Sequence, residues 1–426
     1  MKKLIGIILA LGLLFVFAAC AQQDAPVTPD APDTPAVVQP PAPPAADDDD
    51  GEEPPAPAVP ADDVPFPGRI AVVTNTVDQN EEEFRSAAAL VARYGDRVIH
   101  VTWPVQFALE GETMITILRS LAENPEVGAI IINQAVVNTN AALDVVRSIR
   151  GDDIFIVAVN AAEVPADVSM RVDLALDTNN PGLPESFVAQ AVAMGAHTIV
   201  HYSFPRHMAV PHLAARRDGF ARYAEAAGIA FHDLNSPDPM EEGGMPASQL
   251  FISQDVPRRI EEFGVDTVFF STNCGQQIPL LQGVLAGGAM YVQPCCPSPF
   301  HAFPTALGLA ADQREAMDAF STTEIIELTR QAVAEAGLTG RLANWAAPVS
   351  MAFTEVGFYY AVEWLNGRTN TGAGVYPDMD MVNTLFGDYM ERLIGERSYL
   401  NLTPQTIGAS VYPRIIVGLP ATFLVY

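Results

Sequence analysis

Lysine is almost missing from this chain: among 426 residues the only two are Lys2 and Lys3. Beyond them there is no ammonium side chain to cradle a nucleotide phosphate, form a Schiff base or serve a serine–lysine dyad. Every other fixed positive charge is an arginine, which forks onto carboxylates or hydroxyls. Lysine and arginine together number 23 against 51 acidic residues, a net charge of −28. That balance argues against nucleic acid as a partner and against lying flat on anionic lipid. Common enzyme signatures are also absent: there is no Gly-x-Ser-x-Gly elbow, no His-Glu-x-x-His, and no Gly-x-Gly-x-x-Gly after the first predicted strand. No enzyme activity, cofactor or resident metal is therefore expected. Catalytic triads are spatial, so an extracytoplasmic hydrolase stays open as a lesser alternative.

Cysteine is nearly as scarce, with four in all: Cys20, Cys274, Cys295 and Cys296. Setting Cys20 aside leaves an odd count, so at least one thiol is unpaired or pairs elsewhere. Three arrangements are open. Cys274 pairs with Cys295 or Cys296, closing a loop of about 20 residues worth about 3 kcal/mol in the chain-entropy model; Cys295 and Cys296 form a vicinal ring; or all three are buried thiols. The spacing lacks the Cys-x-x-Cys of redox catalysts. His197, His201 and His212 lack the spacing of a zinc site.

What is present begins with MKKLIGIILALGLLFVFAAC. Two lysines, an apolar run and small residues before Cys20 read as a secretory signal over 1–20, with Cys20 as the expected lipidated residue. The apolar run is shorter than the roughly 20 residues a membrane span needs. Residues 21–66 are built largely from Ala, Pro, Asp, Glu and Val and contain no lysine or arginine. This composition predicts an extended, disordered spacer lifting a globular body off the membrane. Its acidic run at Asp47–Asp50 lacks the ligand spacing of a calcium loop.

From Arg69 onward, short β-branched runs alternate with helical segments of 10–15 residues. Strands are predicted over 69–75, 97–103, 127–133, 153–159 and 172–178, and the pattern restarts with 197–203, 229–235, 265–273 and 289–294. Such alternation predicts an α/β protein of two doubly wound parallel-sheet lobes with a ligand cleft between them. The expected division is 67–180 plus about 300–360 in lobe 1, and 181–299 plus about 361–426 in lobe 2. Helices are predicted over 314–337 and 350–367.

The layout, with RRDGFARYAEAAGI at 216–229 and VDTVFFSTN at 265–273, resembles the type I periplasmic-binding-protein fold of sugar-type solute-binding proteins. Arg216, Gly219 and Phe220 match a helix motif of those proteins and of their repressor relatives, and Thr272-Asn273 falls where they place a polar pair. The chain also resembles a bacterial lipoprotein family described as a domain of unknown function. It departs from the sugar-binding pattern in lacking an Asp after Asn273, in its Cys-Cys pair and in its long C-terminal portion. The resemblance implies a lipid-anchored extracytoplasmic protein that captures a small polar ligand, such as a sugar or nucleoside, and hands it to an ABC permease. A sensor passing its closed form to a membrane receptor is the alternative.

In open parallel sheets ligands sit beyond the carboxyl ends of the strands. Those ends carry Asn75, Asp78, Trp103, Asn133, Gln134, Asn160, Asp177 and Asn180 in the first half, and Arg206, His207, Asn273 and Gln293 in the second. These are the expected ligand-binding residues. Amides donate and accept, which suits neutral polyhydroxyl or heterocyclic ligands, and Trp103 or Phe204 would stack on a ring. Asn and Asp at such positions also simply form turns or cap the next helix.

Overall fold

The structure is a computed structural model that describes residues 64–77, 79–309, 322–372, 374–395, 402–419 and 423–426. The predicted signal, the spacer up to residue 63, Cys20 and Asp78 lie outside the described residues.

The first half alternates as the sequence suggests: β1 (Arg69–Thr74), α1 (Glu81–Tyr94), β2 (Val98–Thr102), α2 (Gly111–Glu123), β3 (Val127–Asn133), α3 (Thr139–Arg150), β4 (Phe155–Val159), α4 (Pro165–Ser169) and β5 (Leu174–Thr178). These strands run parallel in the order β5-β4-β3-β1-β2. All five residues of β4 are buried, the mark of a parallel strand covered on both faces. In β1, Ile70 and Val72 enter one core while Ala71 and Val73 enter the other, because side chains alternate across a strand. Asn80 caps α1 by accepting from the Glu83 N–H, and Glu81, Glu82 and Glu83 occupy its first turn, where the helix dipole favours acidic residues.

The second half follows with α5 (Leu183–Ala193), β6 (Thr198–Ser203), α6 (Pro205–Met208), α7 (Pro211–Ala227), β7 (Ala230–Asn235), α8 (Gly244–Phe263), β8 (Thr267–Ser271) and α9 (Gln277–Gly287). Its parallel sheet has the order β7-β6-β8. The predicted strand at 289–294 is reduced to bridge contacts, Met290 to Val268 and Tyr291 to Leu342. Two further cores line the faces of this sheet.

The C-terminal third is shared between the lobes, and here the expected division needs correction. Helices α10 (Phe303–Ala306) and α11 (Thr322–Glu335) and strand β9 (Ala343–Asn344) come first. Phe303, Val333 and Leu342 pack into a second-lobe core, not into lobe 1. Next, α12 (Val349–Leu365) and α13 (Met379–Ile394) pack on the first sheet. Finally β10 (Thr403–Ile407) and β11 (Ser410–Gly418) extend that sheet beside β5, and β12 (Leu424–Val425) pairs with β9. Residues 379–418 thus belong to lobe 1, not lobe 2. The reason is apolar demand: α12 is buried nearly all round, so it must be covered both by a sheet and by another helix. The close fit is visible at Gly357, where an added Cβ would lie 2.9 Å from Val157 Cγ1. Among the described residues no helix is long and apolar enough to cross a membrane.

Candidate functional site

The carboxyl ends of both sheets converge on one cavity of about 160 Å³. From the first lobe it is lined by Asn75 after β1, Gln134 after β3, Asn160 after β4, and Asp177, Thr178 and Asn180 at the end of β5. From the second it is lined by Arg206 and His207 after β6, by Thr272, Asn273 and Cys274 after β8, and by Cys295 and Cys296. Parallel strands leave backbone groups and turn-forming side chains at their carboxyl ends, so the topology gathers polar groups there.

The first wall is made of amides. Asn75 Nδ2 donates to Gln134 Oε1 at 3.5 Å, and the buried Asn75 Oδ1 has no partner among the described residues. Asn160 takes the left-handed conformation at φ 50°, which asparagine tolerates better than most residues, and its Nδ2 donates to Ser350 Oγ at 3.0 Å. Asp177 accepts the Thr178 N–H at 2.6 Å. Burial pushes the Asp177 carboxyl up to about 7, while the Thr178 N–H and the Arg216 charge only partly oppose it.

The second wall is cationic and aromatic. His207 Nδ1 lies 3.0 Å from Thr272 Oγ1. Burial drives both His207 and His212 down to about 3, so both rings are neutral at ordinary pH. Arg206 forks onto Asp238, with Nε to Oδ2 at 2.8 Å and Nη2 to Oδ1 at 2.7 Å. It borders the cavity already engaged by a carboxylate. Arg216 differs. It is 2 % exposed, lies with its Cζ 4.9 Å from the Phe270 ring centre, and donates from Nη1 to Asn180 Oδ1 at 2.5 Å. Its Nε and Nη2 have no partner among the described residues. A buried guanidinium with two idle nitrogens beside a cavity is poised to receive an oxygen-rich ligand.

Four expected ligand residues sit elsewhere. Trp103 is buried in a first-lobe core and donates from Nε1 to the Gln134 carbonyl at 2.9 Å, so it supports the loop rather than the cavity. Phe204, the other expected stacking ring, is also fully buried. Asn133 is buried beneath α12, donating to the Ser350 carbonyl at 3.0 Å and to Thr354 Oγ1 at 2.5 Å. Gln293 is fully buried and contacts the Pro294 carbonyl at 3.4 Å. In each case a side chain near a strand end is buried in the protein rather than turned into the cavity. Lining residues outside the expected ligand set include Gln79, Phe107, Thr178, His212, Arg216 and Met245. Of these, Arg216 carried a signal, its match to the helix motif; Phe107, in a loop after β2, carried none.

The three cysteines are free thiols. Cys274 Sγ lies 3.2 Å from Cys295 Sγ and 3.4 Å from Cys296 Sγ, and the latter two are 4.0 Å apart. Every separation is more than 1 Å beyond a disulfide bond, so neither expected pairing is made.

Two mainly parallel sheets, crossed three times by the chain and facing a shared cavity with their carboxyl ends, define the type I periplasmic-binding fold. The chain belongs to the family described as "Protein of unknown function (DUF3798)", which matches residues 69–343. An uncharacterized protein of Treponema pallidum (strain Nichols) is 28 % identical over 223 residues, covering 51 % of this chain and 98 % of that protein. A second from the same strain is 27 % identical over 177 residues, covering 40 % and 80 %. A crystal structure named "Putative transcriptional regulator", from Clostridium difficile 630, shares the fold with a TM-score of 0.66 at 19 % identity, over 85 % of this chain and all of the other. An ABC transporter solute-binding protein from Clostridium phytofermentas with bound L-rhamnose aligns at TM-score 0.48 and 11 % identity, over 84 % of this chain and 96 % of its own.

Proposed function

We propose that the protein is an extracytoplasmic solute-binding protein, lipid-anchored through Cys20, that closes its lobes on a small polar ligand and delivers it to an ABC permease. The observation that carries this reading is the cavity between the two sheets, with amides from one side and the idle Arg216 guanidinium from the other. A ligand that bonds to both walls favours the closed arrangement of the lobes, since only there are all contacts made together. The cavity offers paired donors and acceptors, which suits a polyhydroxyl compound.

Calorimetric titration with monosaccharides, polyols and nucleosides tests the binding. One compound should bind with one-to-one stoichiometry and be recovered unchanged; recovery of a hydrolysed product would contradict the reading. Fractionating cells that express Cys20→Ala tests the anchor. The variant should leave the membrane fraction, and full retention with an uncleaved signal would indicate a transmembrane anchor instead.

A further inference from the structure

The polar-solute reading leaves one feature of the cavity unused. Cys274 follows β8 and the adjacent Cys295 and Cys296 come from a separate segment, yet the three sulfurs form a compact triangle with sides of 3.2, 3.4 and 4.0 Å that borders the cleft. Thiols buried only for packing need no such convergence. We propose that these three sulfurs form a binding site for a soft closed-shell cation, Zn(II) or Cu(I), with the remaining coordination position open to the cleft.

The triangle has the right size. Three sulfurs of a tetrahedral zinc site stand about 3.8 Å apart, from a Zn–S length of about 2.3 Å. In this structure a point about 2.3 Å from all three sulfurs exists roughly 1 Å out of their plane, without moving any of them. A cation there has three sulfur ligands in a pyramid and one free position. Sulfur ligands select Zn(II) and Cu(I) over the hard cations that prefer oxygen.

The surroundings supply what such a site needs. Three thiolates and one Zn(II) leave one negative charge, and the Arg216 guanidinium, whose charge acts on all three cysteines, offsets it. Its Nε and Nη2 have no partner among the described residues. Gln134 Nε2 lies 4.0 Å from both Cys274 Sγ and Cys296 Sγ, where an N–H steadies a metal-bound sulfur. His301 Nδ1 contacts the Cys296 carbonyl at 2.9 Å and ties down the loop. This site stands whether or not the cleft also takes a polar solute.

The test uses the full-length protein, reduced and stripped of metal without oxygen, titrated with Zn(II) and separately with Cu(I). One equivalent should bind and should shield three thiols from a thiol reagent. X-ray absorption of the loaded protein should show three sulfur neighbours at about 2.3 Å. A group that only touches a ligating sulfur contributes roughly 10- to 100-fold in affinity, so Gln134→Ala should fall in that range and each single Cys→Ser substitution should exceed about 100-fold. Circular dichroism of the metal-free variants separates lost ligands from lost folding, and the absorption spectrum of the unaltered protein needs no variant. Solute binding is measured by calorimetry on the metal-free, unaltered protein, so failure of the metal site and failure of the solute reading are separable. Absence of stoichiometric binding, a spectrum dominated by nitrogen or oxygen, binding that survives triple substitution, or closure of two of the thiols into a disulfide in preference to metal would each overturn the proposal.

Discussion

Asn75, Gln134, Asn160 and Asn180 reach the cleft from the first lobe, whereas Arg206, His207, His212, Arg216 and the three thiols reach it from the second. The scaffolds behind these two walls are alike, parallel strands with helices on both faces, but the wall chemistry is not. In the amide wall Asn160 is held through Ser350 and Asn75 through Gln134, both in the same lobe, while Asn180 accepts from Arg216 of the other lobe. The other wall concentrates charge and sulfur, and burial keeps its histidines neutral, so Arg216 is its principal cation. The contrast suggests a division of labour: amides read the pattern of hydroxyls, and the buried guanidinium supplies most of the binding strength.

The strongest way to break this contrast is Arg216→Met. Removing a charged hydrogen-bonding partner costs about 1.5–3 kcal/mol, so solute affinity should fall roughly 10- to 100-fold by calorimetry. Melting temperature should change little or rise, because a buried charge with idle nitrogens is costly to keep. An unchanged affinity would place the ligand against the amide wall alone.

Next in size is the pH dependence of stability. Glu82, buried and accepting from Ser298 Oγ, is pushed up to about 8, and Asp177 up to about 7. The folded state therefore holds protons that the unfolded chain releases above about pH 4. These contributions to stability are full at low pH and are lost as pH rises through 7 and 8. His207 and His212 act the opposite way. Depressed to about 3 in the fold, they contribute above their ordinary value of 6.5 and lose that contribution as pH falls toward 3. The two pairs offset each other where their windows overlap, so melting temperature should be nearly flat from about pH 4 to 6.5 and decline above it, and Glu82→Gln should flatten the decline toward pH 8. A decline of equal steepness in the variant would show that Glu82 does not titrate in this range.

Smaller effects sharpen the comparison. Asn75→Ala removes one neutral hydrogen bond of the amide wall, worth about 1 kcal/mol, or about fivefold in affinity. Arg206→Ala should weaken solute binding less than that and destabilise the fold more, since it strands the buried Asp238 carboxylate. Thermal melts alongside titrations separate the two, and a larger binding loss at Arg206 than at Arg216 would invert the assignment of the cation.

Strand periodicity made most of the fold legible, because buried parallel strands such as β3 and β4 read as unbroken β-branched runs. The same ends pointed to Asn75, Gln134, Asn160, Asp177, Asn180, Arg206, His207 and Asn273, all of which border the cavity. Direction was not legible: Asn133 and Gln134 are adjacent, yet the first turns under α12 and the second toward the cleft. The tail hid its partition for a related reason. RIIVGLPATFLVY reads as one apolar run, but its first part ends β11 in the first sheet and its last residues form β12 beside β9 of the second. Helix α13 was missed amid Pro and Gly breaks, although Asp378 caps its start by accepting from Asp380 and Met381 N–H and Gly395 ends it. Arg216 was visible as a helix motif residue, but nothing in the sequence shows that two of its nitrogens are left idle.

The account rests on the cleft holding an intact polar solute between the two walls. Mass spectrometry of small molecules released on denaturing gently purified protein tests this most directly. One hydroxyl-rich compound should be released at close to one equivalent from the unaltered protein, and far less from Arg216→Met. Release of no compound, or of the same amount from both proteins, would contradict it.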